Sequence, residues 1–350
     1  MKPFPKKTDK RKYDRARSPR RGVLVALLVL LPAAAVISAA LGRYPIRVRE
    51  IFGILGAKLF RIEPFWSATQ ASLLLTHRLP RIALACCVGC CLSAAGAAYQ
   101  GVFQNPMAAP DILGASSGAA FGAALAILLG LGSSMLILFS FAASLLTVLL
   151  VISVGSKVKG KRVVGLILTG IMVSSLVSSG TSFLKLIADP QDQLPAITYW
   201  LMGSLNGAQP KDVKFALIPM LIGLVPLLLL RWRLNILTFG DEEAKTMGVN
   251  AKRLRTVVIV CSTLLTAASV SVSGMIGWVG LVIPHLARRL VGNNYKRLMP
   301  TSMLLGALFL LVVDDVARTL FTTEIPIGIL TSLVGAPFFI YLITRDGEQL

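Results

Sequence analysis

The 350-residue sequence predicts an all-α integral membrane protein, with about ten transmembrane helices in a compact bundle. Three observations lead there. Hydrophobic residues make up 55% of the chain and mean hydropathy is +0.74, more apolar surface than a soluble core can hide, so the surplus needs lipid. Apolar runs long enough to cross a bilayer recur from one end of the chain to the other. Gly, Ala and Ser are abundant while aromatic residues are only 7%, and small residues let membrane helices approach closely.

The runs fall at 22–42, 82–103, 111–130, 132–154, 163–187, 210–231, 254–273, 276–291, 299–321 and 325–344. The first, Val23–Leu41, follows a basic stretch and ends near Ser38-Ala39-Ala40, the layout of a cleavable signal. Its core is longer than a signal core and long enough to span, so an uncleaved first helix is expected. The connection 43–81 contains Arg47–Arg61, an amphipathic stretch suited to a surface helix.

The second run carries Cys86-Cys87-x-x-Cys90-Cys91. The spacing suits a metal, but the cysteines sit mid-helix among Leu, Val and Ala, and the sequence offers only His77 and His285 as histidine ligands. They read as small hydrophobes at a helix contact, and no metal site is expected. On the same run Gly89, Ser93, Ala97 and Gly101 form a stripe of small residues four apart, a close-packing face that can also shape a pathway.

Asn105-Pro106-Met107-Ala108-Ala109-Pro110-Asp111-Ile112-Leu113-Gly114 then breaks the apolar sequence. Each proline ends simple helix continuation and biases the residue before it toward extended geometry. Asp111 can cap a new helix, along which Gly114, Gly118 and Gly122 again recur every four residues.

Gly155-Ser-Lys-Val-Lys-Gly160-Lys161 begins like a phosphate loop. Arg162 stands where Ser or Thr would hold Mg²⁺ and no strand precedes it, so an ordinary basic loop is expected and ATP hydrolysis on this chain is not. In 189–209, Pro190, Pro195 and the Tyr199-Trp200 pair suit a short interfacial helix. Between the sixth and seventh runs, Gly240, Asp241, Glu242, Glu243, Ala244, Lys245, Thr246, Met247 and Gly248 make a Gly-bounded amphipathic piece with acids early and Lys late, the favourable sense for the helix dipole. Ala244 and Met247 at i, i+3 offer it a docking face, and it is either solvated or partner-binding. The eighth run is short and broken by Pro284 beside His285, for which a hydrogen-bonded structural role is expected. Asp314, Asp315 and Arg318 late in the ninth point to an ion pair.

Ten spans put both ends on one side. With the N-terminus inside, 25 Lys/Arg fall in inner segments and 11 in outer ones, ten of the former in residues 1–21. This predicts an N-in, C-in protein of the cytoplasmic (inner) membrane: a basic cytoplasmic tail at 1–21, one transmembrane domain at 22–345 and a cytoplasmic end at 346–350. A net charge of +20 would suggest nucleic acid in a soluble chain, but its placement between apolar runs argues against that partner. No nucleophile, base and acid gather in the sequence, and no pair of catalytic carboxylates, so no catalytic residue is expected.

Several stretches together resemble the permease family of ABC importers for iron–siderophores, haem and vitamin B12. They are Arg78-Leu79-Pro80-Arg81, Ala97-Ala98-Tyr99-Gln100, Asn105–Pro110 with Leu113-Gly114, Tyr199–Ser204, Glu243–Val249, Gly274–His285, Asp315-x-x-Arg318 and Glu324–Gly328, in family order over about 78–340. The resemblance implies ten helices per subunit and a second permease subunit, the same or paralogous. It also implies two cytoplasmic ATPase subunits carrying ATP and Mg²⁺, and an extracytoplasmic substrate-binding protein, with no cofactor on this chain. It implies that 240–248 is the helix coupling to the ATPase, and that Arg78, Arg81 and Arg318 dock the binding protein. Asn105 and Met107 then match an inner gate, with Val163 and Val164 at a second gate segment near 160–164. Iron–siderophore is the expected cargo. An ion-coupled secondary carrier is the alternative, and it would want acidic or histidine residues in mid-membrane that the runs hardly offer.

Overall fold

The structure, a computed structural model, describes residues 18–42, 44–60, 63–158 and 162–346. The basic tail before Ser18, Gly160 and residues 347–350 lie outside the described residues. Among those described, every regular element is helical. The helices are α1 (Ser18–Ala40), α2 (Val48–Phe60), α3 (Ala68–Ser72), a π-helical turn (Leu73–Arg78), α4 (Leu79–Val102), α5 (Ala115–Leu128), α6 (Ser133–Gly155), α7 (Arg162–Ile187), α8 (Gln193–Leu201), α9 (Pro210–Leu237), α10 (Asp241–Thr246), α11 (Ala251–Ser273), α12 (Val279–Val291), α13 (Tyr295–Thr319) and α14 (Ile327–Asp346).

Each of the ten apolar runs holds a helix. Among the described residues seven helical stretches are long and apolar enough to cross a membrane; Ala115–Leu128 and Ile327–Tyr341 are shorter apolar helices, and Val279–Val291 has 13 residues around Pro284. The surface helix expected at 47–61 and the short helix expected in 189–209 are present as α2 and α8.

Of the boundaries that differ from the sequence expectation, two do so for identifiable reasons. The second run, expected from 82, belongs to a continuous helical stretch from Ala68 to Val102. A capping box starts it: Ser67 Oγ accepts from the Gln70 N–H at 3.1 Å while the Gln70 side chain accepts from the Ser67 N–H at 2.8 Å. Pro80 would break an ordinary helix, because it lacks an N–H and crowds the carbonyl four residues back. The π-helical turn just before it widens the backbone there, so the helix runs through. The third run, expected from 111, becomes helical only at Ala115. Gly114 adopts φ +77°, a left-handed turn open to glycine, and Asp111 Oδ1 still accepts from the Ser116 N–H at 2.7 Å. Asp111 thus helps start α5 from inside the preceding loop rather than as its first residue.

Helix α4 is the centre of the bundle, touching α9, α11, α12 and α13, while α1 lies along α13. Helices α5, α6 and α7 form a second group that meets the first through α11. Helix α8 is seated by Ile197, which packs with Ala124, Leu184 and Ala188. The loop after α8 is stitched by backbone bonds to α11 and α14: Ser204 N–H to Ser273 O at 2.8 Å, and Ile327 N–H to Gly203 O at 2.8 Å.

Candidate functional site: two ends of the bundle

Close approach around α4 rests on glycine. A Cβ on Gly89 would lie 2.2 Å from Gly306 O, and one on Gly306 2.0 Å from Ser93 Oγ, so this half of the small stripe is the α4–α13 contact. Gly101 faces Tyr295, whose hydroxyl is 2.7 Å from where a Cβ would sit, and Ala97 is fully buried. Gly96, off the four-residue stripe, is the tightest of all: its Cβ would stand 1.8 Å from Gly280 O on α12. Gly118 and Gly122 let α5 meet α6 at Ala143 and Phe139, whereas Gly114 sits in the loop against Ser174 of α7.

At one end of the bundle lie three arginines, two of which reach the last turn of α1. Arg78 is buried and donates to Ala39 O at 2.6 Å and to the carbonyls of Ala40 and Tyr44. Arg318 donates to Ser38 O at 2.5 Å and Leu41 O at 2.9 Å, and pairs with Asp315 at 2.6 Å. The last carbonyls of a helix have no partner within it and carry the negative end of its dipole, so two guanidiniums here satisfy both bonding and charge. Arg81 bridges Asp314 at 2.9 Å and Glu324 at 3.0 Å, tying α4 to α13 and to the turn before α14. Asp314 is fully buried and Glu324 keeps 27% of its side chain exposed. The ion pair expected of Asp314, Asp315 and Arg318 is therefore present and extends to Arg81. The three arginines are brought together, but their donors are largely committed within the chain.

The opposite end holds the loop 104–114 and α10. Asn105 turns the loop: its Oδ1 accepts from the Met107 N–H at 2.8 Å and its carbonyl from Ala108 at 3.1 Å. Met107 is exposed, and α7 lies against the loop, since a Cβ on Gly170 would meet Ile112 O at 2.3 Å. At the start of α7, Val163 lines a cavity of about 20 Å³ with Val102, Phe103 and Thr256, placing the second expected gate segment beside the end of α4, while Val164 is exposed.

Helix α10 begins after Gly240 at φ +120° and ends at Gly248 at φ +74°. Glu242, Glu243, Lys245, Thr246 and Met247 are exposed, while Ala244 is fully buried and its carbonyl accepts from the Val249 N–H at 2.9 Å. Ala244 and Met247 therefore do not share a free face as their spacing suggests. Ala244 anchors the helix to its own chain, and the outward face is the acidic residues, Lys245 and Met247. Asn250 caps the next helix by accepting from the Arg253 N–H at 3.0 Å. Among the described residues no group of three or more His, Cys, Asp or Glu gathers to hold a metal.

This arrangement can now be set beside known proteins. Residues 28–345 match the FecCD transport family. The chain belongs to that family. It is 43% identical over 332 residues to the molybdate import system permease protein of Haemophilus influenzae, covering 93% of this chain and 97% of the relative. It is 37% identical over 308 residues to the hemin transport system permease protein of Yersinia pestis, covering 84% of this chain and 91% of the relative. Among solved structures, it matches an inward-facing metal-chelate type ABC transporter with a TM-score of 0.83 and 41% identity, over 93% of this chain and 99% of that one. As a FecCD permease it is a multi-pass protein of the bacterial inner membrane and a subunit of an ABC transporter, not itself an enzyme.

Proposed function

We propose that this FecCD permease is the membrane subunit of an ATP-driven importer whose cargo is an iron–siderophore complex. The observation that carries the importer reading is α10, a short helix exposed between two spanning helices and anchored by one buried alanine, in a fold matching a metal-chelate transporter. In this reading the chain has ten spans with both ends inside. It pairs with a second permease subunit, seats residues 240–248 on each of two cytoplasmic ATPases, and receives cargo from an extracytoplasmic binding protein at the arginine end. Asn105, Met107, Val163 and Val164 close the inner end of the pathway. The chain performs no chemistry; it supplies a two-state route, and closure of the ATPases biases which state is populated.

Docking at the arginine end is electrostatic and local. Arg78 and Arg318 complete the end of α1, and the half-buried Glu324 already occupies Arg81. An acidic group on the binding protein would share these guanidiniums with it, and that attraction weakens with salt.

A relative named for iron chelatin in Helicobacter pylori, 42% identical over 273 residues and covering 78% of this chain, supports the siderophore reading. The Haemophilus relative at 43% favours molybdate as the second. Uptake into proteoliposomes holding the chain with its ATPase and binding protein decides between them. ATP-dependent accumulation of a radiolabelled ferric siderophore, with none of molybdate, is expected; the reverse pattern replaces the cargo, and uptake without ATP removes the importer reading. In the same vesicles, Glu243→Arg with Met247→Asp should leave ATP hydrolysis running while uptake falls by about tenfold or more. Normal uptake in that variant would take α10 out of the coupling role.

A further inference from the structure

The loop 104–114 and the coupling helix α10 are far apart in sequence, yet the structure ties them through one side chain. Gln104 is exposed at the start of the loop with φ +50°, a left-handed conformation uncommon outside glycine and costing a glutamine on the order of 1 kcal/mol. Its Nε2 donates to Leu237 O at 2.6 Å. Leu237 is the last residue of α9, so its carbonyl is one of those that a helix cannot satisfy internally. Only Thr238, Phe239 and Gly240 separate it from α10.

A second tie runs in parallel. Asn235, also in the last turn of α9, accepts from the Tyr295 N–H at 2.9 Å. The Tyr295 hydroxyl accepts from Arg288 at 3.3 Å, and Arg288 donates to Gln100 Oε1. Gln100 O in turn accepts from the Asn105 N–H at 3.2 Å. The loop is thus held to the end of α9 by way of Gln100 in α4 and through Gln104, and the Gln104 tie is direct.

We infer that Gln104 is a positioning residue that transmits displacement of α10 to the inner gate, its bond to Leu237 O being the connecting element. The inference rests on the reading of α10 as the coupling helix and of Asn105–Met107 as the gate. A left-handed backbone at a residue whose side chain caps another helix is a local cost that the surrounding structure must offset, and a connection between two moving parts is a use for it. Interatomic continuity alone does not establish coupling, so the test reads the response of the gate to nucleotide.

The test uses the complete complex with its ATPase in lipid nanodiscs, where both faces are accessible, and Met107→Cys as the reporter. Labelling by a membrane-impermeant maleimide is compared without nucleotide and with ATP, Mg²⁺ and orthovanadate; protein lacking the reporter cysteine gives the background from the native cysteines. With Gln104 intact, nucleotide should change the labelling rate by about fivefold or more. Gln104→Gly removes the donor while suiting the left-handed backbone better, so the complex should assemble and melt no lower, yet the nucleotide response should be lost. Gln104→Lys restores a donor of similar reach and should restore the response. A response that survives Gln104→Gly overturns the relay alone. A reporter that ignores nucleotide with Gln104 intact overturns the gate reading, and the relay with it.

Discussion

Two stretches of equal hydropathy differ most in what surrounds them. Ala68–Val102 and Val163–Ile187 both reach a mean of 1.9 in their most apolar windows, yet 78% of the first window is buried within the chain and only 28% of the second. Hydropathy reports that a segment leaves water; it does not say whether its neighbour is protein, lipid or a second subunit. What separates the two is backbone approach. Gly89 and Gly96 bring carbonyls of α13 and α12 to within contact of α4, and no larger residue fits. Helix α7 carries small residues too, but Ser175, Ser178 and Ser182 lie open on it, with Ser182 satisfied by the Ser178 carbonyl at 3.1 Å. A helix whose hydroxyls face outward in a membrane is suited to a partner or a hydrated path, so α4 is the frame of the fold and α7 its open side.

Substitutions should sharpen that contrast, beginning with the most severe. Replacing Arg81 by Met strips Asp314, which is fully buried, of its closest cation and should cost about 3–5 kcal/mol. The loss would appear as a large fall in melting temperature in detergent, and a variant that melts normally would show the α4–α13 ion pair to be dispensable. Gly96→Ala forces the Gly280 carbonyl away and should cost about 1–3 kcal/mol, against little change for alanine at Gly277, where a Cβ meets nothing. Ser178→Ala on the open side of α7 should shift stability by about 0.5 kcal/mol or less. A drop as large as that of Gly96→Ala would mean that α7 is packed after all.

Much of the fold was legible because apolar runs mark helices in composition: each of the ten runs holds a helix, and among the described residues seven helical stretches are long and apolar enough to cross a membrane. Helix α10 was legible from its bounding glycines and charge order. The misses share one cause, that they depend on contacts the local sequence does not carry. Pro80 reads as a start of helix unless the π-helical turn before it is known. Ala244 looks like part of a docking face until its burial is seen. The partners of two arginines do not show either: Arg81 finds Asp314 and Glu324 more than 200 residues away, and Arg78 finds the end of α1. Gly96 lies one position off the stripe that marked Ser93 and Ala97; its offset of three from Ser93 was the available clue. Gln104 gave no signal at all, since a glutamine before Asn-Pro is an ordinary loop residue and its value lies in where Leu237 ends.

As proposed above, this FecCD chain works as half of a membrane dimer driven by separate ATPases. Native mass spectrometry of the complex purified from its own membrane in mild detergent addresses it most directly. The account predicts an assembly holding two permease subunits and two copies of an ABC-type ATPase, with the masses also telling whether the two permeases are identical. A chain that flies alone, and that moves its cargo in liposomes on an ion gradient without ATP, would contradict it.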